Sequence, residues 1–132
     1  MAINATQLLD EARLTVPELS PAETQSALDS GTIDVLLDVR DVREWQHEHI
    51  ELATHAPRGL LEWLADPSYP KHEPVLAGRT NARIVVLCAS GGRSLLAAKT
   101  LREMGYRDVR SMTGGINAWK AAGLPITPGA DV

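Results

Sequence analysis

The chain has 132 residues, 44% of them hydrophobic and 23% charged, with a formal charge of −4 and a single cysteine. That length suits one domain whose core needs no disulfide or metal to hold it. The acidic balance and the lack of a basic run give no footing for nucleic acid, one cysteine excludes an internal disulfide or a Cys-rich zinc site, and no stretch approaches the ~18 apolar residues of a membrane span.

The opening residues, MAINATQLLDEARL, carry neither the basic start nor the apolar run of a secretory signal, so a reducing cytoplasm is the expectation. Residues 4 to 13 read as a helix, with Asn4 as N-cap and Leu8, Leu9 and Ala12 spaced for one face. Ser20-Pro21-Ala22-Glu23 marks a second helix start. Ser20 caps it, Pro21 takes the first helical position, Glu23 completes a capping box, and the helix ends near Gly31. The run Val35-Leu36-Leu37, flanked by Ile33 and Val39, fits a strand buried on both faces. Residues 41 to 49 read as a short helix, and residues 66 to 81, rich in proline and turn formers, as a surface loop. Phe is absent, so Trp45, Trp63 and Trp119 are the large pieces available to the core.

The strongest strand covers residues 83 to 88 and runs straight into Ala89-Ser90-Gly91-Gly92. A helix over 93 to 104 follows and stops at Gly105. Residues 109 to 112 form a short strand, Gly114-Gly115 a tight turn, and 116 to 122 a last helix before Gly123 and Pro125. Buried strands alternating with helices imply an α/β fold with a parallel sheet covered on both faces. In such sheets, sites form at the carboxyl ends of strands, and Cys88 stands at such an end.

Cys88-Ala89-Ser90-Gly91-Gly92-Arg93-Ser94 therefore links a buried strand to a helix. Small residues let this loop curl so that successive amides point inward, and the helix start adds the positive end of its dipole. A thiolate at the centre is stabilised, and a persulfide anion would be held by the same donors. Arg93 is expected at the mouth, attracting an anionic donor, while the Ser94 hydroxyl either donates to the sulfur or caps the helix.

These residues resemble the active-site loop of the rhodanese family. Leu37-Asp38-Val39-Arg40 with Glu44-Trp45 and His49-Ile50, then His55-Ala56-Pro57-Arg58-Gly59, then Gly114-Gly115-Ile116-Asn117-Ala118-Trp119 and Gly123-Leu124-Pro125, resemble its other signatures in order. The likeness covers residues 16 to 126 and leaves 1 to 15 as an N-terminal helical extension of one domain, 1 to 132. It implies a three-layer α/β/α fold with a central, mostly parallel sheet of about five strands. It also implies that Asp38 and Arg40 brace the active loop, Asp38 towards the loop amides and Arg40 paired with Glu44; Arg58 would add positive charge near the entrance. Glu48, Glu51 and Leu52 depart from the family pattern at a surface turn.

The activity implied is that of a thiosulfate sulfurtransferase. Cys88 takes sulfur from thiosulfate, another sulfane-sulfur donor or a protein persulfide, and passes it to a thiol acceptor such as glutathione or thioredoxin, or to cyanide. The alternative is a non-catalytic or persulfide-relay module that binds a partner protein. A cysteine phosphatase or arsenate reductase ranks below both. Only four residues separate Cys88 from Arg93, one fewer than cysteine phosphatases need for a loop that encloses a tetrahedral oxyanion. No cofactor is expected, and none of the four histidines is spaced for a metal.

Overall fold

The two apolar runs become the middle of a sheet. In the computed structural model, which describes residues 2–129, Val35–Asp38 (β2) and Arg83–Leu87 (β5) lie side by side in parallel. Glu18–Leu19 (β1), Thr54–His55 (β4) and Asp108–Met112 (β6) complete a five-stranded sheet in the order β1-β6-β5-β2-β4, with every neighbouring pair parallel. Successive residues of a strand face opposite sides, so the sheet has two cores. Leu37, Ile84, Val86 and Cys88 face the helices Ala5–Arg13 (α1) and Gly92–Glu103 (α5), where Ala12, Leu95, Ala98 and Leu101 meet them. Leu36, Val85 and Leu87 face the other way, towards Pro21–Asp29 (α2) and Gly115–Ala121 (α6), and pack on Leu28, Ile116 and Trp119. The result is the expected three-layer arrangement. Among the described residues no helix is long and apolar enough to cross a membrane.

The helix starts follow the sequence signals. Asn4 with Gln7 and Ser20 with Glu23 form reciprocal capping boxes, as does Asp41 with Glu44 at the head of Val42–His47 (α3). Two expectations need correction. The helix over 41 to 49 stops at His47, because Glu48–His49 (β3) pairs antiparallel with Thr127–Pro128 (β7). That pairing comes from a distant segment, so no local signal announces it. Trp63 belongs to no core. Leu61–Leu64 (α4) buries Leu61 fully and leaves Trp63 on the outer side, 53% exposed.

The proline-rich segment is a chain of turns, yet it is pinned inward. Leu76 is fully buried, and the Tyr106 hydroxyl lies 2.7 Å from the Ala65 carbonyl and 3.1 Å from that of Leu76, while it accepts the Gly78 amide at 3.2 Å. Tyr106→Phe takes the partner from the Ala65 carbonyl and the Gly78 amide, the Leu76 carbonyl keeping the Arg79 amide, and should lower unfolding free energy by about 1–3 kcal/mol, read from the urea midpoint at unchanged slope.

Candidate functional site

β5 ends at Leu87 and α5 begins at Gly92, so the chain must turn through residues 88 to 91. Gly91 makes that turn at φ +108°, a region that disfavours side chains. The turn brings the Gly91 amide to 3.1 Å from the Cys88 sulfur. Ser94, in the first turn of α5, places its hydroxyl 3.4 Å from the same sulfur, 3.2 Å from the Gly91 carbonyl and 2.8 Å from the hydroxyl of Ser111 on β6. Both serines are fully buried and Cys88 is 1% exposed, so the sulfur lies beneath its loop rather than on the surface.

Helix geometry leaves the amides of Gly92, Arg93 and Ser94 without intrahelical acceptors. Among the described residues no other group accepts from them, or from the amides of Ala89 and Ser90. The loop thus spends one amide on the thiol and keeps the others in hand.

The loop's orientation is set from α6. The amides of Ile116 and Asn117 donate to the carbonyls of Cys88 and Ala89 at 2.8 and 3.1 Å. In a trans peptide the carbonyl and the following N–H point opposite ways, and the described chain has no cis bond. Fixing those two carbonyls towards α6 therefore turns the amides of Ala89 and Ser90 away from α6. Gly114 and Gly115, at φ +71° and +58°, allow this approach; a Cβ on Gly115 would collide with the Cys88 carbonyl oxygen.

The charged neighbours are arranged otherwise than expected. Asp38 does not reach the loop amides. Fully buried, it accepts instead from the Arg40 amide at 3.0 Å and from the Arg40 guanidinium at 2.9 to 3.1 Å. A buried carboxylate requires a countercharge, and the forked guanidinium two residues on supplies it. Arg40 is consequently not paired with Glu44. The same Nη2 also donates to the Glu48 carbonyl at 2.8 Å, and the Arg40 carbonyl is met by the His55 imidazole at 2.8 Å. His55 stacks on Trp45, which stacks in turn on His49, so Trp45 is half-buried in a ring stack rather than in the core.

Glu44 takes Arg93, in a two-pronged pair at 2.7 and 3.0 Å. Those hydrogen bonds hold the Glu44 carboxyl below the usual carboxylate range, against a smaller opposing push from burial. Arg93 is therefore near the loop but already engaged. Arg58 is not at the entrance. Glu62, one helical turn on, captures it at 3.0 Å, and its other nitrogen lies 3.2 Å from Thr100, about two turns along α5 from Arg93. Sequence reasoning missed Ser111, Lys120 and the Glu44–Arg93 pair. The Asp41/Glu44 capping box is readable locally; the contact across to α5 is not.

Residues 20–122 match the family described as the rhodanese-like domain. The chain is 30% identical, over 105 residues and 80% of its length, to the Bacillus subtilis (strain 168) protein named "Putative sulfur carrier protein YrkF", of which it spans about half, 51%. It is 34% identical over 92 residues to the chloroplastic thiosulfate sulfurtransferase 16 of Arabidopsis thaliana, covering 67% of this chain and 76% of that one. Among solved structures, a Rhodopseudomonas palustris CGA009 protein of unknown function, RPA3614, described as a possible tyrosine phosphatase, superimposes with TM-score 0.87 at 36% identity over 96% of both chains.

The α6 clamp can be tested against a matched control. Gly115→Ala adds a collision with the loop backbone to the strain of a left-handed residue, whereas Gly123, at φ +73°, has open space around it. Gly123→Ala should cost about 1 kcal/mol of stability and Gly115→Ala clearly more, about 2–4 kcal/mol, as measured by chemical denaturation.

Proposed function

The chain belongs to the rhodanese-like domain family, and from that membership and the geometry at the end of β5 we propose that it is a sulfurtransferase carrying sulfane sulfur on Cys88 as a persulfide. The observation that carries this reading is the loop itself: a buried cysteine sulfur holding one amide, in a turn whose remaining amides have no acceptor among the described residues.

In the first step the Cys88 thiolate attacks the outer sulfur of thiosulfate. A sulfur–sulfur bond forms to Cys88, the bond to the sulfonate sulfur breaks, and sulfite leaves with the electron pair. The product, Cys88–S–S⁻, carries one negative charge, and a curl of main-chain amides at a helix start suits such an anion. Sulfur anions only accept, so the Ser94 hydroxyl turns its proton to them, and the Ser111 hydroxyl, 2.8 Å behind, donates to Ser94 in its place. In the second step an acceptor attacks the outer sulfur. Cyanide leaves as thiocyanate; a thiol such as glutathione or thioredoxin leaves as a persulfide; Cys88 returns as the thiolate. With one cysteine in the chain, the acceptor thiol comes from another molecule. A reducing cytoplasm would keep both thiols ready.

A relay reading, in which a partner protein's persulfide loads Cys88, uses the same intermediate and is supported by the sulfur-carrier name of the Bacillus relative. Two features disfavour for this chain the phosphatase chemistry in the Rhodopseudomonas neighbour's description. The loop of four residues between Cys88 and Arg93 is short for a tetrahedral oxyanion, and Arg93 is engaged by Glu44.

Wild-type protein incubated with a sulfane donor should gain the mass of one sulfur atom on Cys88. Cys88→Ser should lose that gain, and all thiocyanate formation from thiosulfate and cyanide, at unchanged circular dichroism. Cys88-dependent hydrolysis of p-nitrophenyl phosphate, without sulfur transfer, would reverse the assignment.

A further inference from the structure

Ser111 is fully buried on β6, level with Val86 of β5. Its amide donates to the Pro17 carbonyl at 3.0 Å. Its hydroxyl meets one polar group among the described residues, the Ser94 hydroxyl at 2.8 Å. That fixes a direction. If Ser94 donated to Ser111, the buried Ser111 proton would have no acceptor, so Ser111 donates to Ser94.

While Cys88 is a thiol, every proton behind the loop has a place. The S–H points to the Ser94 oxygen at 3.4 Å, Ser111 donates to the same oxygen, and Ser94 gives its own proton to the Gly91 carbonyl at 3.2 Å. Once the thiol proton leaves to water, the sulfur can only accept. Ser94 then turns its proton from Gly91 to the sulfur, and the Gly91 carbonyl keeps the Leu95 amide at 3.4 Å. The Ser94 oxygen has now lost the S–H, and Ser111 is the one donor left to it among the described residues. Removing the Ser111 hydroxyl therefore leaves a buried oxygen without a donor in the charged state and not in the neutral one. It also weakens the bond from Ser94 to the sulfur, which the Ser111 proton polarises.

We propose that Ser111 is a positioning residue for Cys88: by keeping its proton on the Ser94 oxygen it frees the Ser94 hydroxyl to turn from the Gly91 carbonyl to the sulfur, and so favours the charged form. The inference rests on the sulfur-transfer reading for its purpose and on hydrogen-bond geometry for its content. Charged groups surround the same cysteine. Arg93 of α5, whose charge interacts with that of Cys88, is paired with Glu44; Arg40 with Asp38 at the end of β2; Lys120 of α6 with Glu48; and the His55 imidazole lies on the Arg40 carbonyl. All are shared by the variants compared below, so they set where Cys88 titrates and not how Ser111 moves it.

The test follows the ultraviolet absorbance of the thiolate against pH, as the difference from Cys88→Ser; with one cysteine in the chain the signal has one source. Ser111→Ala removes a single oxygen and should move the midpoint up by about half to one pH unit, a thiolate fraction about three- to tenfold smaller below the midpoint. Ser94→Ala should move it at least as far, and Ser111→Ala added to Ser94→Ala should move it no further. In wild type, the carbonyl-carbon resonance of Gly91 should shift with the same midpoint as the absorbance. A Ser111→Ala midpoint equal to wild type overturns the inference. So does a Ser111→Ala shift that persists in full without the Ser94 hydroxyl, or a Gly91 carbonyl signal that stays put as the thiolate forms. No sulfur donor enters the titration, so a Cys88 that follows this pattern yet takes up no sulfur overturns the sulfur-transfer reading alone.

Discussion

The grip of the Ile116 and Asn117 amides on the carbonyls of Cys88 and Ala89 is the contact on which the site depends. A cysteine at the end of a buried parallel strand is by default a small apolar residue. Two hydrogen bonds from another helix change that, because they decide which way two peptide planes face. Gly91 turns the chain once more, and the first turn of α5 supplies amides that helix geometry leaves over. Backbone direction, and not the identity of the side chains at 89 and 90, is what would make the loop receptive to a negative sulfur under the proposed function.

The charges nearby form a second layer with a different logic. Asp38 and Arg40 are buried and satisfy each other, and through Glu48 and His55 they tie β2 to the segments that follow it. Such a pair adds little net stability but is costly to break, since either partner alone is an uncompensated buried charge. Glu44–Arg93 and Glu48–Lys120 are half-exposed and individually weak. Their effect is on the potential around the loop, which is a sum over all of them.

How much was legible in the sequence follows from range. β2, β5, α5 and α6 fall within two residues of where periodicity and punctuation put them, since each is specified by its own residues. Of the three capping boxes among the described residues, Ser20/Glu23 was read in full and Asn4 as a cap, while Gln7 and the Asp41/Glu44 box emerged from the structure. The two-residue strands β1, β4, β3 and β7 carry no pattern of their own and exist only through their partners. At the site, the turn from Cys88 to Ser94 was readable because strand, glycine pair and helix start are contiguous in the chain. Asp38 and Arg40 each found a partner other than the one expected, while Arg58 and Arg93, expected as free positive charge, are engaged by Glu62 and Glu44. A guanidinium reaches far enough to choose among several carboxylates, and only the folded chain says which is nearest. Ser111 was invisible because it meets Ser94 across neighbouring elements.

A site that would hold its anion with the main chain, as proposed for Cys88, carries an evolutionary corollary. Amides are the same whichever residue bears them, so the positions beside the loop, 44, 48, 117 and 120, can drift without touching the machinery beneath. Duplicated copies of such a domain could diverge in diet while sharing one engine, each new preference costing a handful of surface codons and no refolding of the frame.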